Sequence, residues 1–159
     1  MSYRCLAAAA LALLAACEMP AAPATAPTAP AAPVVEAATP ASDRPIQDAR
    51  RAAGLGPVTR NAALERAAEV QLRHILATGD LTHAGPGGSR FTDRARAAGF
   101  CQGGRMGENL ASGHPTLSAA VAGWLASPGH RTNLLRPEAD AYGLASSGEV
   151  YVLVIGKSC

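Results

Sequence analysis

The sequence is poor in aromatic residues, in lysine and in charge of either sign. Trp, Tyr and Phe make up 4% of its 159 residues and charged side chains 16%, so the composition is that of neither a charged coiled coil nor an ordinary compact domain. Among 14 basic residues Lys157 alone is a lysine, the arginines are scattered, and the formal net charge is only +2. That balance gives no electrostatic case for binding nucleic acid or a polybasic contact with a membrane surface. No apolar run approaches the roughly 20 residues of a transmembrane helix. HExxH, Walker A, GxSxG, Rossmann and CxxC patterns are all missing, so no serine or cysteine nucleophile has a motif behind it. There is no internal repeat.

What is present divides into three parts. Residues 1–16 have the form of an export signal: Met1 to Arg4 with one positive charge, then an unbroken Ala/Leu run from Leu6 to Ala16. The run ends in Leu14-Ala15-Ala16-Cys17, which resembles the lipobox of bacterial lipoproteins and makes Cys17 the lipid-modified first residue of the mature chain; secretion with cleavage elsewhere is the alternative. Several acyl chains hold a protein on a membrane far better than one. Residues 17–42 then form a tether. Six of the 25 residues from Glu18 to Ser42 are Pro and ten are Ala, which leaves too little to bury for a core. Extended at roughly 3 Å per residue, the segment reaches at most about 75 Å.

Residues 43–159 are the folded part, with 13 basic and 10 acidic side chains. Of the four cysteines, Cys5 leaves with the signal and Cys17 carries lipid, so Cys101 and Cys159 remain as an even pair in an exported domain. A disulfide between them, rather than two free thiols, would contribute roughly 4 kcal/mol in the chain-entropy model.

Helical signals dominate the first two thirds. A short helix over 46–53 exits at Gly54. Asn61 caps a second, with Leu64, Ala68, Leu72, Ile75 and Leu76 on one face, a Glu69 to Arg73 pair, and Gly79 at its end. A third spans 91–98, a fourth 116–126, and Ser127-Pro128 opens a fifth through His130 to Leu135. After Pro137, residues 142–145 and 149–155 read as a hairpin across Ser146-Ser147-Gly148. Its second strand places Val150, Val152 and Val154 on one face and Tyr151, Leu153 and Ile155 on the other. A strand apolar on both faces needs a layer on each side, and the helices are the available material, so the fold class is α+β.

Four histidines are candidates for chemistry. His74 lies within the second helix beside its apolar face, where packing is the simpler reading, and His114 precedes Pro115 in a loop. His83 and His130 sit in turns bounded by glycine or proline, which hold direction better. Glu108, in Gly107-Glu108-Asn109-Leu110, is either a buried partner for backbone donors or half of a His/Glu site. Two histidines and a glutamate match the ligand count of a catalytic zinc site, but their gaps of 25 and 22 residues are no compact metal motif.

Together these segments resemble the bacterial branch of the CAP superfamily, the SCP-like or YkwD-like extracellular domain. The resemblance rests on Arg51 to Pro57, Gly79-Asp80-Leu81-Thr82-His83, Arg96 to Phe100, Gly107 to Gly113, Trp124 to Leu135 with its Ser-Pro-Gly-His-Arg-x-Asn-Leu-Leu, and the later Tyr142-Gly143-Leu144. It covers about Pro45 to Gly156. It implies an α-β-α sandwich with a small antiparallel sheet between helices, export, and a cleft lined by His and Glu. His83 and Glu108 match the first histidine and the Gly-Glu-Asn glutamate. Ser127 stands where the eukaryotic members carry a second glutamate, and His130 lies in a different segment from their second histidine.

The resulting expectation is a lipid-anchored cell-envelope module that binds a lipid or an envelope protein through a cleft at His83, Glu108 and His130. Its place is the periplasm, or the outer membrane of a two-membrane bacterium, which Glu18 after the lipidated cysteine favours by analogy. The alternatives are a hydrolase with a divalent metal such as zinc on His83 and His130, Glu108 being ligand or general base, and a structural envelope protein. Metabolic acyl labelling is expected to mark the wild-type chain and not Cys17→Ala; an unlabelled wild type released into the medium would sink the anchor.

Overall fold

The computed structural model describes residues 43–159. The leader, Cys17 and the tether lie outside the described residues. The elements run α1 (Arg44–Ala52), β1 (Thr59–Arg60), α2 (Ala62–Thr78), α3 (Phe91–Ala97), β2 (Gln102–Ala111), α4 (Leu117–Ala126), α5 (Pro128–Leu134), β3 (Ala141–Ser147) and β4 (Val150–Ser158). Local chemistry sets several boundaries. The Asn61 side chain accepts from the Ala63 and Leu64 amides to start α2, and Thr116 accepts from Ala119 to start α4. Ser127 precedes α5 without a side-chain capping bond; the proline after it starts that helix.

The sheet order is β1-β3-β4-β2. The β2, β4 and β3 pairings are antiparallel, with Glu108 opposite Val154 and Val154 opposite Gly143. The two-residue β1 adds a parallel edge to β3. The apolar alternation of β4 separates two cores. Val152 and Val154 pack with Leu64, Ala68, Leu72 and Ile75 of α2 and Ala95 of α3, whereas Tyr151, Leu153 and Ile155 pack with Ile46, Trp124 and Leu134 of α1, α4 and α5. The result is the expected α-β-α sandwich. Leu76 is a departure, being 52% exposed. Three steps of four residues carry it roughly 120° round the helix from Leu64, whereas Ile75 returns to the buried face.

The α2 layer lies so close to the sheet that a Cβ on Gly143 would come within 2.1 Å of the Leu64 carbonyl carbon. On the opposite face Arg50 is 1% exposed. It donates to the main-chain carbonyls of Gly56, Leu134, Arg136 and Ala139, tying α1 to the chain after α5. Burial pushes its pKa down, and the four acceptors are what make a buried guanidinium tolerable. Its neighbour Arg51, the arginine in the recognised segment, is exposed.

β2 is ten residues long and is buried only from Met106 onward. Its start is held by the Cys101–Cys159 disulfide, with Cα atoms 5.5 Å apart, and by the Cys159 amide donating to the Cys101 carbonyl at 3.1 Å. β2 ends the sheet, and side chains rather than another strand take its carbonyls: Asn133 donates to Glu108 O at 3.2 Å and the Trp124 indole to Leu110 O at 3.0 Å. Capping of this kind blocks edge-to-edge pairing.

Candidate functional site

The chain brings the carboxylate of Glu108 to the middle of β2, where its side chain has no exposed surface. A buried carboxylate needs partners for both oxygens, and two elements supply them. From α3, Arg94 places Nη2 2.6 Å from Oε2, with only 3% of its own side chain exposed. From the loop after α2, His83 places Nδ1 2.9 Å from Oε1, and 57% of this side chain is exposed. The result is a relay from a buried cation through a buried anion to an imidazole at the surface. Arg94 also donates through Nη1 to the Ser89 carbonyl at 2.6 Å, which ties the far end of the His83 loop to the same guanidinium.

His130, half-buried on α5, is attached next door. Its main-chain carbonyl accepts from Asn109 Nδ2 at 2.9 Å, and Asn109 Oδ1 accepts from Asn133 Nδ2 at 3.1 Å. Asn133 lies so close that a Cβ on Gly107 would come within 2.4 Å of it, so the glycine of Gly-Glu-Asn is a matter of room. His83 and Glu108 are thus in direct contact, and His130 is joined to them through the residue after Glu108. Of the other histidines, His74 is half-buried on α2 and His114 packs near Gly123 of α4. A groove of about 630 Å³ between α2 and α3, lined by Val70, Arg73, Asp93 and Ala97, touches the site through Arg94 and Ser89.

The three-donor zinc set is not assembled. Among the described residues no three His, Cys, Asp or Glu side chains are grouped so as to hold a metal ion, and both oxygens of Glu108 already have partners, Arg94 and His83. This leaves two imidazoles, short of the three protein ligands of a catalytic zinc site. The geometry therefore gives no step through a metal.

The family model described as "CAP: Cysteine-rich secretory protein family" matches residues 44–150. The chain belongs to this family. Solved structures agree on the CAP fold. An extracellular protein containing an SCP domain from Bacillus anthracis superposes with a TM-score of 0.61 at 24% identity, covering 71% of this chain and 38% of that one. An outer surface protein from Borrelia burgdorferi gives 0.62 at 24% identity, covering 72% of this chain and 87% of that one. A cysteine-rich secretory protein from Staphylococcus aureus gives 0.54 at 21%, covering 69% and 35%. The chain thus spans well under half the length of the Bacillus and Staphylococcus proteins. No curated protein matches.

Within this CAP domain the site residues that sequence reasoning missed are Arg94 and Asn133. Asn133 stood in the recognised His-Arg-x-Asn stretch without a role. A buried glutamate calls for a cation, but nothing in the spacing selects Arg94 from 13 arginines.

The hydrogen bond to Glu108 is the main cause raising the His83 pKa, against burial and the charge of Arg94. Burial first, and His83 second, lower that of His130. A raised histidine stabilises fully below its unfolded pKa near 6.5, and this is lost as pH climbs through the folded value. A lowered one contributes above 6.5 and loses its contribution as pH falls through the folded value. Calorimetric melting of wild type and His83→Ala is therefore expected to differ most near pH 5 and to converge toward pH 8; a gap that widened with pH would contradict the His83–Glu108 pair.

Proposed function

We propose that this CAP domain is a binding module of the bacterial cell envelope, exported and tethered by a lipidated Cys17, whose ligand meets the surface at His83 and His130. One observation carries the reading. Glu108 is fully buried and spends both oxygens on Arg94 and His83, so it acts as an orienting group, and the ring it orients is more than half exposed. With Nδ1 committed to Glu108, Nε2 is the ring atom left for a ligand. A half-buried His130 whose neutral form is favoured adds a second ring nearby. One oriented imidazole with a second ring nearby, beside polar main chain, suits a partner that offers hydrogen-bonding groups and some apolar surface, such as a lipid headgroup region or a segment of an envelope protein.

Export and the envelope location rest on the leader and lipobox of the sequence, and agree with the extracellular and outer-surface descriptions of two proteins that share the fold. A hydrolase would need an activated nucleophile or an open metal site, and neither the motifs nor the Glu108 geometry supplies one.

Cells carrying the full chain with a photoreactive residue in place of Thr82 provide the test. Irradiation is expected to yield one dominant crosslinked species, a lipid or an envelope protein, reduced at least tenfold when Glu108→Gln loosens His83. Crosslinking that is diffuse, or equal in both chains, would contradict the binding site.

A further inference from the structure

We propose that Gln71 is the positioning residue of this site, holding His83 from α2 through the main chain on either side of it. The proposal rests on the reading of His83 as the ligand-facing ring and adds how that ring is kept in place. Gln71 is completely buried, in line with Leu64, Ala67, Ala68 and Ile75 on a face that is otherwise apolar. An amide there costs stability unless it is hydrogen-bonded, and a hydrophobic side chain of similar size would serve packing better. Its Nε2 donates to the carbonyls of Thr82 at 2.5 Å and Ala84 at 3.5 Å, the two residues flanking His83. Turning the amide over would set Oε1 against those carbonyls, so the loop itself fixes its orientation, and Oε1 is left buried with no hydrogen-bond partner.

The next residue of the loop closes the bracket. A Cβ on Gly85 would lie 2.5 Å from Arg94 Nη1 and 2.7 Å from Gln71 Oε1. The Gly85 amide donates to Ser89 O at 2.8 Å, and Ser89 O also accepts from Arg94. The segment carrying His83 is therefore gripped by Gln71 at its start and by Arg94 at its end, and Arg94 also grips Glu108. The groups acting on His83 are Glu108 from β2 and Arg94 from α3, and His83 in turn acts on His130 of α5.

The test uses the full chain with ¹⁵N-labelled histidine, at a pH above the imidazole titration, where the ring tautomer reports the Glu108 contact. Wild type is expected to hold the Nδ1–H tautomer of His83. Leu72→Ala, which removes core packing one residue along α2, is expected to melt lower and keep both that tautomer and the protection of the Gly85 amide. Gln71→Met, of similar length but without a donor, is expected to give a mixed tautomer and exchange at Gly85 at least tenfold faster than in Leu72→Ala. Gly85→Ala presses the same bracket from the loop side and is expected to give the same signature, which serves if Gln71→Met does not fold. A Gln71→Met chain that melts lower but keeps the tautomer and the protected amide overturns the proposal. Loss of crosslinking specificity in Glu108→Gln bears on the binding site and is independent of this outcome.

Discussion

The arrangement turns on one ion pair that has almost no water around it, Arg94 to Glu108. Taking two charges out of solvent costs more than their attraction returns unless the remaining hydrogen-bonding capacity is filled. The second carboxylate oxygen is filled by His83, and the Arg94 Nη1 donor by Ser89 O. Satisfying the pair therefore brings together α3, β2 and the loop after α2. His83 comes with it, because that loop supplies an acceptor and a donor, while Arg94 Nε stays buried with no hydrogen-bond partner.

The remainder of the CAP domain supplies rigidity on both sides of that pair. β4 buries apolar side chains on each face, so both helical layers bear on one strand. β2, which carries Glu108 and Asn109, is held along one edge by β4 and along the other by Asn133 and Trp124. On the opposite layer Arg50 uses carbonyls alone to balance burial. The two buried arginines thus illustrate different solutions: a formal counter-charge for Arg94 and a ring of dipoles for Arg50. Only the first leads outward to the surface.

Much of this was legible in the sequence, for physical reasons that differ from residue to residue. Asn61, Thr116 and Pro128 mark helix starts because their chemistry acts within one turn. The two-faced β4 implied a sandwich because alternation has a fixed period. Cys101 and Cys159 could be paired by elimination. The resemblance placed His83 and Glu108 in one cleft, but the spacing of 25 residues did not show their direct hydrogen bond or the Arg94 partner on the other oxygen. Burial also discriminates between near neighbours in a way that composition does not: Arg50 is inside and Arg51 outside, Arg94 inside and Arg96 outside. β2 was not read from the sequence, and in its first half Gly103, Gly104 and Arg105 lack strand character. The register to β4 shifts across them, between Gln102 and Met106, and they are held by close packing on Lys157 and Ser158 and by the disulfide. A count of donors likewise says nothing of which donors are already taken, as the oxygens of Glu108 are by Arg94 and His83.

The most direct measurement is a double-mutant cycle on Arg94 and Glu108 by chemical denaturation near neutral pH. Arg94→Met alone strands a buried carboxylate and is expected to cost roughly 3–5 kcal/mol. Glu108→Gln in the same chain removes that charge, so the double variant is expected to be more stable than Arg94→Met, with a coupling energy of about 2 kcal/mol. Additivity of the two substitutions within about 0.5 kcal/mol would contradict the buried pair, and with it the account of how His83 is oriented.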